Sequence, residues 1–343
     1  MEEYIVTEET INDVKKKINE DIIKYDEKTI LKNLGYFADA STSIANLLKD
    51  YIDDIWEIDF KEDLPIYSLN ERIKFVKDFY KGINTNIDID SLINNGTIDF
   101  MGDNYCEEID KVRTHKPKVS GYNFYEFDTK FTTIDVENTG YFSDSIVLTH
   151  ELSHYREKEN MVNKSPIGYL LTEALADAEQ FIFCDYYKEN HKKEVDTFLA
   201  YRLKVYYYHS CDCAEFLIPY YFYYNYSDVS KKLYTEQFGE EYKDEFYENI
   251  VNFCEINKEL KTVQYLMASM LSPYLLKKYK EDKNFIKVLN ELHENAAKYE
   301  SLEEVYKLLG LSTNLYSARN ELIFALKDMT EELLNKNVLR KVK

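Results

Sequence analysis

Two histidines four residues apart, His150 and His154, enclose a glutamate in the pentapeptide His150-Glu151-Leu152-Ser153-His154. On a helix this spacing puts both imidazoles on one face, about one turn apart. Two imidazoles so placed suit two ligands of a single tetrahedral metal ion. Glu151 then lies one helical step round from His150, where it can reach a water on the metal without binding the metal itself. The chemistry implied is hydrolysis, with the ion as Lewis acid and the carboxylate as general base.

A catalytic zinc site commonly has three protein ligands and an open position. Glu173 follows His154 with eighteen residues between them, enough to finish one helix, turn at Asn163-Ser165 and return along a second. Asp177, four residues further, shares its helical face. It can accept the free ring N–H of a ligand histidine, fixing the tautomer and raising its basicity. Ala174, Ala176 and Ala178 are small, as close packing of two helices over a metal requires.

These residues carry a resemblance. The pentapeptide, eighteen residues and then Glu173 resemble the gluzincin metallopeptidases and, in spacing, the aminopeptidase N family. That family's third-ligand segment reads W-L-N-E-G-F-A. Here Leu170-Leu171-Thr172-Glu173-Ala174-Leu175-Ala176 keeps the second Leu, the Glu and the final Ala. Glu173-x-x-x-Asp177 is similar to the third-ligand helix of thermolysin-type enzymes. The likeness covers about residues 146–178. It implies one Zn²⁺ per chain, held by His150, His154 and Glu173, with Glu151 as general base and Asp177 as the orienting carboxylate. The aminopeptidase N family also has G-x-M-E-N upstream, whose glutamate binds the substrate's free amine. Val136-Glu137-Asn138-Thr139-Gly140 is similar but closer to the zinc motif, which makes Glu137 a candidate amine anchor. In such enzymes a later Tyr or His stabilises the oxyanion. The candidates are His209 and the tyrosines 220, 221, 223, 224, 226 and 234. His209-Ser210-Cys211-Asp212-Cys213 has ligand-type residues, but Cys-x-Cys is awkward for one tetrahedral ion and reads as a helix junction. His115, His191 and His293 sit among charged residues and are expected to face solvent.

The elements that must position this site can be read coarsely. Nine glycines and five prolines in 343 residues favour long helices. Apolar spacing predicts a helix from Thr7 to Leu34 ending at Gly35, a second from Ser41 to Glu57, and a third behind the capping box Ser68-Leu69-Asn70-Glu71. Asn84 to Lys118 is mixed, with turn signals at Asn95-Gly96 and Met101-Gly102 and a short helix over 104–114. Asn123–Phe127 and Phe131–Val136 read as two strands joined at Asp128-Thr129-Lys130. Ser143 or Asp144 can N-cap the pentapeptide helix, and Ser165-Pro166 opens the helix that carries Glu173. The remainder is helical, with breaks near Cys211-Asp212, Pro219, Gly239, Pro273, Asp282 and Gly310.

Composition excludes some partners. A net charge of −20 disfavours nucleic acid and anionic membranes. No apolar run approaches the ~20 residues of a membrane span. The five cysteines contain no C-x-x-C pair, so neither a disulfide framework nor a cysteine-ligated zinc knuckle is indicated. The first residues lack a signal peptide's basic and apolar regions, which points to the cytoplasm, although signal-independent export would leave the same record.

The expectation is therefore a mainly α, α+β, zincin-like metallopeptidase, with a small sheet beside the H-E-x-x-H helix and a helical C-terminal half. Its regions would be 1–118 helical, 119–190 the zinc-binding core and 191–343 a helical closure of the cleft, or one continuous domain. The function expected is zinc-dependent peptide hydrolysis, on a peptide or protein substrate. The alternatives are a delivered protease toxin with one protein target and a non-catalytic helical interaction protein that keeps a structural zinc motif.

Overall fold

The computed structural model describes residues 28–58, 64–101, 121–126, 131–157, 165–225 and 261–341. Helices dominate them, in the order α1 (Lys28–Lys49), α2 (Ile52–Trp56), α3 (Leu69–Gly82), α4 (Ile89–Asn94), α5 (Ser143–Arg156), α6 (Pro166–Tyr187), α7 (Lys192–Asn225), α8 (Lys261–Glu281), α9 (Ile286–Asn295), α10 (Leu302–Leu308) and α11 (Leu315–Lys341). Three strands, β1 (Ile98–Met101), β2 (Gly121–Glu126) and β3 (Phe131–Glu137), form one sheet between α4 and α5.

Long-range packing overrides several local breakers. Gly35 lies inside α1 instead of ending a helix. The roughly 1 kcal/mol cost of a mid-helix glycine is small beside burial of Tyr36, Phe37, Ala40, Ile44 and Leu48 on the same helix. The expected second helix is correspondingly split, since α1 runs on to Lys49 and only the short α2 follows. Cys211-Asp212 and Pro219 do not break α7. Pro273 sits inside α8, where Leu271, Tyr274 and Leu275 around it are buried. That burial offsets the ~3 kcal/mol a helical proline costs. Asp282 and Gly310 do mark ends: Asp282 caps a 3₁₀ turn, and Gly310 adopts φ 74 just beyond α10. The capping box at Ser68 is present, with Glu71 accepting from Ser68 N–H at 2.8 Å. The helices expected over 7–27 and 104–114, the turn at 128–130 and the break at Gly239 lie outside the described residues.

The sheet order is β1-β3-β2. β2 pairs antiparallel with β3, Gly121 opposite Val136 and Glu126 opposite Phe131. β1 adds a parallel partner, Ile98 opposite Ile134 and Met101 opposite Glu137, which the mixed composition of its surroundings did not announce. Ile134 and Val136 bury one face of β3 in the core, while Asp135 on the other face is also buried.

A knot of polar contacts joins this sheet to α5. Gly140 takes φ 89, a left-handed conformation that glycine adopts without a Cβ penalty, and so turns the chain from β3 into the helix. Asp144 does not cap α5; its N-cap is Phe142, with no side-chain cap bond. Asp144 instead accepts from the Thr139 and Gly140 backbone N–H groups at 2.9 and 3.0 Å and pairs with buried Arg72 of α3. Arg72 also donates to Asn138 Oδ1 at 2.5 Å. Strand end, turn, α3 and α5 are thus fixed together. α6 opens as expected, Ser165 accepting from Gly168 N–H at 3.0 Å with Pro166 in the first turn. It packs between α5 and α8, and Ala174 and Ala178 on it are fully buried.

Candidate metal centre and catalytic cleft

α5 and α6 bring His150, His154 and Glu173 together. One ligand atom from each lies within 4.8 Å of the others. The two Nε2 atoms are 3.1 Å apart. His150 Nε2 lies 3.4 Å from one Glu173 oxygen, and His154 Nε2 lies 3.6 Å from the other. Ligand atoms about 2.0–2.1 Å from a tetrahedral zinc are about 3.3 Å from one another. Two imidazole nitrogens and a carboxylate at these separations are a donor set that fits zinc.

Asp177 meets the histidine pair on the side away from this point. Its Oδ1 is 3.3 Å from His150 Nδ1. A proton on Nδ1 facing that carboxylate leaves the Nε2 lone pair aimed at the tripod. Asp177 is itself held from α7: Arg202 donates through Nη2 at 2.5 and 2.6 Å and through Nε at 3.1 Å. The Tyr206 hydroxyl donates to Asp177 Oδ2 at 2.6 Å and meets Ser272 Oγ of α8 at 2.7 Å. Burial alone would raise the Asp177 pKa. The Arg202 charge and the His150 contact outweigh it and hold the carboxyl far below its usual range. The same logic applies to Glu173, where burial is opposed by His154 and His150 and the net shift is downward. For His150, burial works against the cation, yet Asp177 and Glu173 lift its pKa to about 10. Carboxylates thus surround a position that attracts positive charge.

Glu151 is buried. Burial raises its pKa most; His150 lowers it, Glu173 and Asp135 of β3 raise it, and it stands at about 7. A carboxyl balanced near neutrality can both take and return a proton. Tyr265 of α8 stacks flat on His209 of α7, with centroids 4.4 Å apart and planes 8° from parallel. Glu173 is the largest influence raising the Tyr265 pKa, followed by burial, so the hydroxyl stays protonated. His209 is driven towards its neutral form by burial and then by Arg202.

The sequence named His209 but not Tyr265, Arg202 or Tyr206. Tyr265 lies in a helix with no local motif, and Arg202 stands 25 positions from Asp177. Only folding brings Arg202 and Tyr206 to Asp177 and Tyr265 to His209. Glu137 ends β3 opposite Met101, and its side chain is outside the described residues, as are the tyrosine side chains 220–224 and residues 226 and 234. Cys211 and Cys213 ride on the continuous α7, Cys213 fully buried. Two histidines expected in solvent are not fully exposed. His191 is half-buried and stacks on Phe142 at 4.4 Å, and His293 is 2% exposed, paired with Glu157 and Glu179 from distant parts of the chain. His115 lies outside the described residues.

No protein-family model and no curated protein matches the chain. Among solved structures, it superposes on a Bacillus anthracis protein assigned as oligoendopeptidase F with TM-score 0.50 and 15% identity, over 92% of this chain and 56% of that one. It superposes on PZ peptidase A, solved with an inhibitor, with TM-score 0.51 and 15% identity, over 96% of this chain and 59% of that one. The chain therefore spans less than two thirds of either neighbour's length. At this identity the likeness is one of fold alone: a mainly helical α+β architecture.

Proposed function

We propose that the chain is a zinc-dependent peptidase, with His150, His154 and Glu173 as the ligands of one ion per chain and Glu151 as the general base. The observation that carries this reading is the convergence of the three ligand atoms at tetrahedral separations, beside a buried carboxyl poised near neutrality. Zinc held by these three residues would supply Lewis acidity towards the attacking water and the peptide carbonyl.

The chain's own groups do the rest. Glu151 takes a proton from the attacking water and returns it to the leaving amine. Asp177 holds the proton on His150 Nδ1, and Arg202 with Tyr206 keeps Asp177 ionised and in place. Tyr265 donates its hydroxyl hydrogen to the peptide carbonyl oxygen as negative charge grows on it, a contribution made chiefly in the transition state. His209 supports the Tyr265 ring by stacking and is the second candidate donor. The fold likeness to an oligoendopeptidase favours internal bonds of short peptides; the Glu137 amine anchor is the competing, exopeptidase feature.

The test uses the full chain with zinc. Metal analysis should give close to one zinc per chain, and a peptide library should be cut. Glu151→Gln should keep the zinc and lower cleavage about 10²–10⁴-fold; unchanged cleavage would place the base elsewhere. Free and N-acetylated peptides cut equally well would remove Glu137 as an anchor.

A further inference from the structure

A second cluster of charges joins the two helices that carry the tripod, and His293 of α9 is at its centre. Nδ1 of His293 lies 3.1 Å from Glu157 Oε1, and Nε2 lies 3.0 Å from Glu179 Oε1 and 3.5 Å from Ser153 Oγ. Carboxylates only accept, so a ring facing one through each nitrogen carries both protons and is an imidazolium. Burial opposes that charge, and the two carboxylates outweigh it. Arg156, the last residue of α5, pairs with Glu179 and donates to Asn290 Oδ1 of α9 at 2.5 Å. Tyr80 of α3 donates to Glu179 Oε2 at 2.9 Å.

The placement matters more than the number of bonds. Ser153 neighbours His154 on α5, Glu157 follows the end of that helix, and Glu179 is two residues beyond Asp177 on α6. A single cation therefore touches both ligand-bearing helices. We infer that His293 is a positioning residue: its imidazolium, held between Glu157 and Glu179, fixes the spacing of α5 and α6 and with it the spread of the His150, His154 and Glu173 tripod. Apolar side chains could hold two helices as firmly, because a buried ion pair gives up hydration to form. Ions with matched hydrogen bonds additionally select one geometry, and a metal tripod needs one geometry.

The inference rests on the metal reading of the tripod, and the experiment separates the two. Zinc affinity of the full chain is measured at pH 7 by competition with a chromophoric chelator, for wild type, His293→Gln and His293→Lys. Imidazole ¹⁵N resonances report the protonation of His293 directly. At pH 7 the ring should be doubly protonated. Gln approximates the shape without the charge and should weaken zinc binding about tenfold, the lower end for loss of a supporting partner. Lys carries the charge without the shape and should recover most of the loss. A neutral His293, a Gln variant that binds like wild type, or Gln and Lys variants equally weakened would each overturn the inference. Should the Gln variant fail to fold, the Lys variant decides alone: near wild-type affinity supports the inference and a tenfold loss overturns it. Wild type that takes up no zinc would overturn the metal reading and this inference with it. Wild type that binds zinc beside variants that behave otherwise than expected would overturn this inference only.

Discussion

Two clusters join α5 to α6, the rear one around His293 and the front one the tripod, and they use the same residue types to different ends. In the rear cluster one histidine sits between two glutamates, with an arginine supplying further positive charge. The side chains of His293, Glu157 and Glu179 are 0–2% exposed. In front, two histidines face one glutamate, the imidazole nitrogens point at each other across 3.1 Å, and the three side chains remain 11–17% exposed. The rear cluster carries its cation within the chain. The front one spends its lone pairs on a common point open to a cation from solution. Burial, charge and access, not residue identity, separate the proposed clamp from the proposed metal site.

Exchanging glutamates across the pair is the strongest way to break this contrast. Glu173→Ala should drop bound zinc well below one per chain, whereas Glu157→Gln should keep it; metal analysis after gel filtration reads both, and loss in both would erase the distinction. Next comes Arg202. Its removal, as Arg202→Leu, leaves Asp177 buried without its main counter-charge and should cost ~3–5 kcal/mol in denaturant unfolding. A negligible cost would mean that the front cluster does not depend on that guanidinium.

Tyr265→Phe should lower kcat about 10²–10³-fold with little change in KM, since a hydroxyl acting on developing charge contributes little to ground-state binding. An unchanged kcat would leave His209 as the donor. The smallest effect is expected at the rear. His293 has its pKa raised in the folded chain, so the folded state retains a proton that the unfolded state releases above about pH 6.5. Its contribution is complete below that value and is lost as pH rises through the raised one. In chelator-treated protein, wild-type stability should therefore fall across this window more steeply than that of His293→Gln, and the difference isolates His293 from His150.

Much of the front cluster is legible in the one-dimensional chain because helical geometry is local. A four-residue interval decides which side chains share a face, so His150, His154 and the pair Glu173 and Asp177 are fixed relative to one another once α5 and α6 form. Turn chemistry is local as well, which is why Ser68, Ser165 and Gly310 read correctly. Gly35 and Pro273 read wrongly for the complementary reason: their local penalties are of the order of 1–3 kcal/mol, and burial of their neighbours exceeds that. Strand β1 escaped notice because four residues without clear alternation become a strand only when β3 offers a parallel edge.

Residue order alone encodes the two histidines, their helical spacing and the glutamate between them. Folding alone brings Arg202 and Tyr206 onto Asp177, Tyr265 against His209, and buried His293 against Ser153, Glu157 and Glu179. These contacts join residues 25 to 140 positions apart. Nothing in the local chain encodes such a pairing; it exists only because burying the apolar faces of α5 to α9 leaves each charge one place in which its hydration can be replaced.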